Sequence, residues 1–143
     1  MDSIPRAQVR SRITAENPWW EAPHGILPGY AQMRPRAYLD LLQPLLDSAG
    51  PRRAVVLLGP RRVGKTVLIH HAIARLIAQG IAPRRIAYLS VAHPLYTGLG
   101  LEDLLAEADA AAGGKLLEGP AHIFFDEIQY LRDWERHLKV LVD

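Results

Sequence analysis

The 143 residues contain no cysteine, which removes disulfides, thiolate zinc sites and cysteine nucleophiles together. That absence fits a reducing compartment. No apolar run approaches the ~18 residues that a bilayer-spanning helix needs. The opening Met1-Asp2-Ser3-Ile4-Pro5-Arg6 lacks the apolar stretch of a secretory signal. A cytoplasmic protein without membrane contact is the expectation. The histidines at 24, 70, 71, 93, 122 and 137 show no metal-ligand spacing, and H-E-x-x-H is absent. His70 and His71 are adjacent and so point about 100° apart on a helix. Zinc is not expected. Neither an internal repeat nor a low-complexity tract is present.

What is present is an ordinary globular composition, 49% hydrophobic and 22% charged, with length for one domain and its core. The net charge of +2 hides an asymmetry. Residues 1–86 carry 13 basic and 5 acidic side chains, whereas residues 101–143 carry 4 and 10. A basic half is one footprint of nucleic-acid binding. Composition alone is a weak guide, and the simpler reading makes Arg52, Arg53, Arg84 and Arg85 solvated residues at strand entries.

Residues 1–33 are rich in Pro, Gly and Arg without a sustained period and read as an irregular leader. Its one compact feature is Asn17-Pro18-Trp19-Trp20, whose paired rings are expected to bury against a neighbouring surface. Residues 35–49 have helical spacing, with Tyr38, Leu41, Leu42, Leu45, Leu46 and Ala49 on one face. Pro44 should kink this helix, and Gly50-Pro51 should end it. Ala54-Val55-Val56-Leu57-Leu58 is a continuous apolar run, as a parallel strand covered on both faces would be. A helix is expected over Lys65–Gln79, closing at Gly80. Ile86-Ala87-Tyr88-Leu89 is a second strand. A helix bearing Leu101, Leu104, Leu105 and Ala108 follows, with Glu102 and Asp103 in its first turn, where the dipole favours acids. Ile123-Phe124-Phe125 is a third strand, and a last helix starts near Asp133 with Trp134, Leu138 and Leu141 aligned. Strand and helix alternate, so the fold class is α/β with a parallel sheet. Its ligand belongs at the carboxyl ends of the strands.

One octapeptide carries chemistry. Gly59-Pro60-Arg61-Arg62-Val63-Gly64-Lys65-Thr66 fits G-x-x-x-x-G-K-[ST], with a strand before it and a helix after it. Phosphate oxygens must approach several backbone N–H groups at once, and Gly59 and Gly64 allow the loop to curl that tightly. The following helix aims its unpaired N–H groups at the same anion. Lys65 then reaches the β- and γ-phosphates, and Thr66 gives its hydroxyl to Mg²⁺. Arg61 and Arg62 stand at variable positions, where solvated charge is the default.

The third strand runs into Asp126-Glu127. An apolar strand ending in two acids behind a P-loop reads as a Walker B motif. Asp126 is expected to hold Mg²⁺ and Glu127 to act as general base toward the attacking water. Acids at a strand end also cap helices, which is the plainer alternative. A base beside the metal carboxylate suits hydrolysis, and the guanine-reading N-K-x-D is absent. ATP and Mg²⁺ are the expected ligands. His93, after the second strand, is taken as a loop residue.

The chain resembles the prokaryotic AAA+ ATPases that carry a C-terminal domain of unassigned function. The resemblance rests on Asn17-Pro18-Trp19-Trp20, the octapeptide, Ile86-Ala87-Tyr88-Leu89-Ser90, and Phe125-Asp126-Glu127-Ile128-Gln129-Tyr130 with Trp134-Glu135. It implies a three-layer P-loop NTPase sandwich, of which residues 34–143 are the N-terminal part. Where such proteins often have an acid after the second strand, this chain has Ala92. Family members continue through a sensor-1 strand and further helices, so truncation after the Walker B strand and one helix is the expectation. Self-association or a partner chain would then complete the sheet, and the chain alone would turn over ATP weakly. A nucleotide-binding module without turnover is the alternative function.

Overall fold

The structure is a computed structural model that describes residues 5–34, 38–47 and 64–142. The strand expected at Ala54–Leu58 and the loop residues Gly59, Pro60, Arg61, Arg62 and Val63 lie outside the described residues.

Two strands pair in parallel, β1 (Ile86–Ser90) and β2 (His122–Asp126), in the register Ile86↔His122 to Ser90↔Asp126. Both coincide with sequence-predicted strands. They are joined through α5 (Leu101–Ala111), whose buried Leu101, Leu104 and Ala108 belong to the expected face. Its first-turn Asp103 also accepts from the Gly100 backbone N–H at 3.2 Å. β1 is covered on both faces. Among the described residues, β2 is only half-covered until it reaches Asp126.

The leader departs from expectation. Residues Arg6–Glu16 form a helix, α1, in place of irregular chain. Its apolar residues are too sparse to give a clear period, so tertiary contact decides the matter. Buried Val9 and Ile13 dock it against α5 and β1. Arg10 reaches Glu107 at 2.6 Å and Arg12 reaches Glu16 at 3.1 Å. An exposed pair such as Arg10–Glu107 contributes roughly 0–1 kcal/mol, so the buried Val9 and Ile13 matter more. A short helix α2 (Pro28–Ala31) follows and packs on α4 (Lys65–Ala78).

The leader also covers one edge of β1. In β1 the residues Ile86, Tyr88 and Ser90 direct their backbone groups away from β2, and side chains from residues 16–20 meet them. Both Trp19 and Trp20 donate their indole N–H to the Ile86 carbonyl, at 2.9 and 2.8 Å. The Tyr88 N–H donates to Asn17 Oδ1 at 2.7 Å, and Asn17 Nδ2 donates back to the Tyr88 carbonyl at 3.0 Å. Ser90 N–H donates to Glu16 Oε2 at 2.9 Å. An open strand edge is a template for unwanted pairing. Here side chains occupy the place of a neighbouring strand. Both tryptophans are buried, as expected from their pairing.

α3 (Tyr38–Asp47) is present and runs through Pro44. Its buried face differs from the predicted one. Leu39 and Leu42 pack with Leu68 and Ala72 of α4, whereas Leu41 and Leu45 are 70% and 50% exposed. Leucines occupy so many positions that periodicity admits two faces, and docking on α4 selects one. α4 itself is buried through six consecutive residues, Leu68 to Ile73. α6 (Trp134–Val142) aligns Trp134, Leu138 and Leu141 as expected, and leaves all three half-buried. No helix among the described residues is long and apolar enough to cross a membrane.

Candidate functional site

The first turn of α4 and the last residue of β2 meet. Gly64 precedes α4 in the left-handed region (φ 77°, ψ 29°), a conformation that costs a side chain and suits glycine. Its carbonyl accepts the Leu68 N–H at 3.0 Å, which starts the helix immediately. Lys65 and Thr66 therefore stand in the first turn, where backbone N–H groups have no acceptor within the helix.

The Thr66 hydroxyl donates to Asp126 Oδ2 at 2.6 Å. Sixty positions separate the two residues in sequence. Of the residues expected to bind or react, Thr66 and Asp126 are thus in direct contact, with Lys65 and Glu127 as their chain neighbours. Asp126 is buried, so its carboxylate sits among protein dipoles rather than water. One hydroxyl and one carboxylate form an all-oxygen pair, the chemistry a hard divalent cation prefers. Among the described residues there is no group of three or more His, Cys, Asp or Glu side chains suited to a metal. A magnesium ion that takes its remaining oxygens from phosphate and water does not require one.

Glu127 leaves the strand with a left-handed backbone (φ 56°, ψ 37°). For a residue with a Cβ that is uncommon and stores roughly 1 kcal/mol or more. It turns the chain abruptly into the short helical turn Ile128–Tyr130, so Asp126 and Glu127 do not follow one straight strand.

A second donor to Asp126, Tyr88, is not among the residues expected from the sequence. Its hydroxyl, buried in the middle of β1, donates to the same Asp126 Oδ2 at 2.5 Å. The register explains the reach. Tyr88 lies opposite Phe124, two residues before Asp126 on the adjacent strand. Burial, and then the Asp126 carboxylate, push the phenol well above its ordinary range, so Tyr88 stays a neutral donor. The available signal is a single tyrosine among the aliphatic residues Ile86, Ala87 and Leu89 of the strand.

His70 packs behind this pair. Its ring stacks on Tyr30 at 4.1 Å, tilts against Tyr88 at 4.5 Å, and meets the Trp19 edge at 6.1 Å. Its Nδ1 lies 2.8 Å from the Thr66 carbonyl, which can only accept, so Nδ1 carries the proton. Burial lowers the His70 pKa, opposed by the Thr66 carbonyl and the Asp126 charge. His71 points elsewhere, to the Tyr30 carbonyl at 2.7 Å.

Three other residues singled out in the sequence, His93, Arg84 and Arg85, make contacts within the chain. His93 Nδ1 accepts from the Leu95 N–H at 3.2 Å and caps the turn Pro94–Tyr96. Arg84 reaches Glu21 and the Ala112 carbonyl, and Arg85 lies 4.0 Å from Glu118. These strand-entry arginines are engaged by their own chain.

The chain is 33% identical over 124 residues to an uncharacterized protein of Methanocaldococcus jannaschii. That alignment covers 82% of this chain and 25% of the relative, so the chain spans about a quarter of that protein's length. No solved structure matches. The family described as AAA domain matches residues 51–143, which include the octapeptide, both strands and the Thr66–Asp126 contact. The chain belongs to this family of AAA domains, P-loop ATPase-like proteins for which nucleotide binding is the family-level function.

Proposed function

We propose that the chain binds Mg·ATP between the N-terminus of α4 and the carboxyl end of β2, and that this site serves ATP hydrolysis. The observation that carries the reading is the 2.6 Å contact between the Thr66 hydroxyl and the buried Asp126 carboxylate. Two distant segments put an oxygen pair beside a helix N-terminus, where an anion is favoured by both dipole and free N–H groups.

In this reading Gly59, Pro60, Arg61, Arg62, Val63 and Gly64 form the loop around the phosphates, and every one of them except Pro60 presents a backbone N–H to the anion. Lys65 adds a point charge toward the β- and γ-phosphates. Thr66 and Asp126 hold the metal, which when bound would offset charge on the transferring phosphoryl group. Glu127 accepts a proton from the attacking water and orients it.

The test is a titration with a fluorescent ATP analogue in Mg²⁺, read beside phosphate release. Lys65→Ala should weaken the analogue by about tenfold or more, the loss of a charge-assisted contact. Glu127→Gln should keep the analogue bound and lower phosphate release to background. Unchanged affinity in folded Lys65→Ala overturns the binding site. Turnover at the wild-type level in Glu127→Gln overturns the base.

A further inference from the structure

The hydroxyl of Tyr88 bonds the Asp126 carboxylate, and the proposed binding site gives it no role. Thr66 and Tyr88 both donate to Oδ2, at 2.6 and 2.5 Å. Two short bonds on one oxygen fix the plane of the carboxylate. A carboxylate on a strand end, bonded through one hydroxyl only, retains rotation about its last torsion, and its ordering then falls to the metal. Removing that freedom beforehand is preorganisation, which strengthens binding without a new contact.

Tyr88 is itself unusually well fixed. Its ring lies against His70, which stacks in turn on Tyr30. Both of its backbone polar groups are held by the single amide of Asn17, and its strand begins where Trp19 and Trp20 hold the Ile86 carbonyl. A tyrosine needed only to fill space has no use for this arrangement. Phenylalanine would fill the same volume without bringing a polar group to a buried carboxylate.

We propose that Tyr88 is a positioning residue for the metal-binding carboxylate of Asp126, and that the leader segment Asn17–Trp20 sets its place. The leader thereby belongs to the metal site through Tyr88. The inference rests on the reading of Asp126 as a metal ligand.

The test is a Mg²⁺ titration at fixed fluorescent ATP analogue, run on wild type and Tyr88→Phe, with the analogue's affinity in EDTA as the reference. Tyr88→Phe should leave affinity in EDTA unchanged and raise the Mg²⁺ concentration at half-effect by about tenfold, the lower range for a hydrogen bond to a charged group. Superimposable Mg²⁺ curves overturn the role of Tyr88. A wild-type affinity that is the same in EDTA and in Mg²⁺ overturns the assignment of Asp126 first, so the two failures are distinct. Tryptophan fluorescence from Trp19 and Trp20 reports whether the variant is folded. Should Tyr88→Phe not fold, 3-fluorotyrosine placed at position 88 retains both the ring and the hydroxyl. Its fluorine resonance should move when Mg²⁺ joins the nucleotide complex. The same probe at Tyr96, whose hydroxyl donates to Glu16, should stay still. A stationary resonance at position 88 overturns the inference.

Discussion

Replacing Asn17 tests whether a single side chain stands in for a missing strand. Asn17 is 1% exposed and its side chain makes three hydrogen bonds: to the Ile13 carbonyl at 2.7 Å, to the Tyr88 carbonyl at 3.0 Å, and from the Tyr88 N–H at 2.7 Å. Asn17→Leu keeps the approximate volume and removes all three. Two backbone groups of β1 are then buried without partners, and each such group costs about 1–3 kcal/mol. The expected loss is about 3 kcal/mol, which for a chain of this size lowers Tm by roughly 10 °C. Asn17→Asp gives a sharper reading. It keeps an acceptor for the Tyr88 N–H but turns an oxygen toward the Tyr88 and Ile13 carbonyls, where the amide had donated. If hydrogen bonding is the reason for this residue, aspartate is as damaging as leucine despite its near-identical shape. Thermal unfolding followed by far-ultraviolet circular dichroism measures both. If both variants lie within ~0.5 kcal/mol of wild type, the strand-mimic account is wrong. If aspartate is mild and leucine severe, shape and polarity matter and the donor does not.

Two further perturbations follow from the same geometry. His70 has a lowered folded pKa, so its neutral form is the one the fold favours. Its contribution is fully present above the ordinary value of 6.5 and is lost as pH falls from there toward the lowered folded value. His70→Phe, measured without nucleotide, should flatten the Tm difference between pH 7.5 and pH 5.5, and an undiminished difference would assign the acid sensitivity elsewhere. Gly64→Ala forces a Cβ into a backbone with φ 77° and should cost about 1 kcal/mol of stability by denaturant titration, together with phosphate affinity. A neutral effect on both would mean that this turn relaxes without penalty.

Much of the candidate site was legible because its chemistry is local. The glycine-lysine-threonine run needs its residues adjacent, since one turn of helix presents them together. The strand ending in Asp126-Glu127 is likewise one continuous segment. Both strands that pair were readable as short apolar runs, and the helix after the octapeptide as a long one. The buried face of α3 was not readable, because Leu39, Leu41, Leu42, Leu45 and Leu46 allow more than one stripe. The helix at Arg6–Glu16 was hidden for the opposite reason. Its stripe consists of little more than Val9 and Ile13, and its stability comes from docking rather than period.

Sequence alone therefore determined the α/β class, the parallel strands, and the identities of Lys65, Thr66, Asp126 and Glu127 as candidates. Each of these depends on neighbours within a few residues. Tertiary structure alone decided that Thr66 and Asp126 touch, that Tyr88 joins them on the same oxygen, and that Asn17 supplies an edge for β1. Those contacts join residues 38 to 71 positions apart. No local pattern encodes them, because a buried hydroxyl or amide finds its partner only after parallel register and helix docking have brought the two segments together.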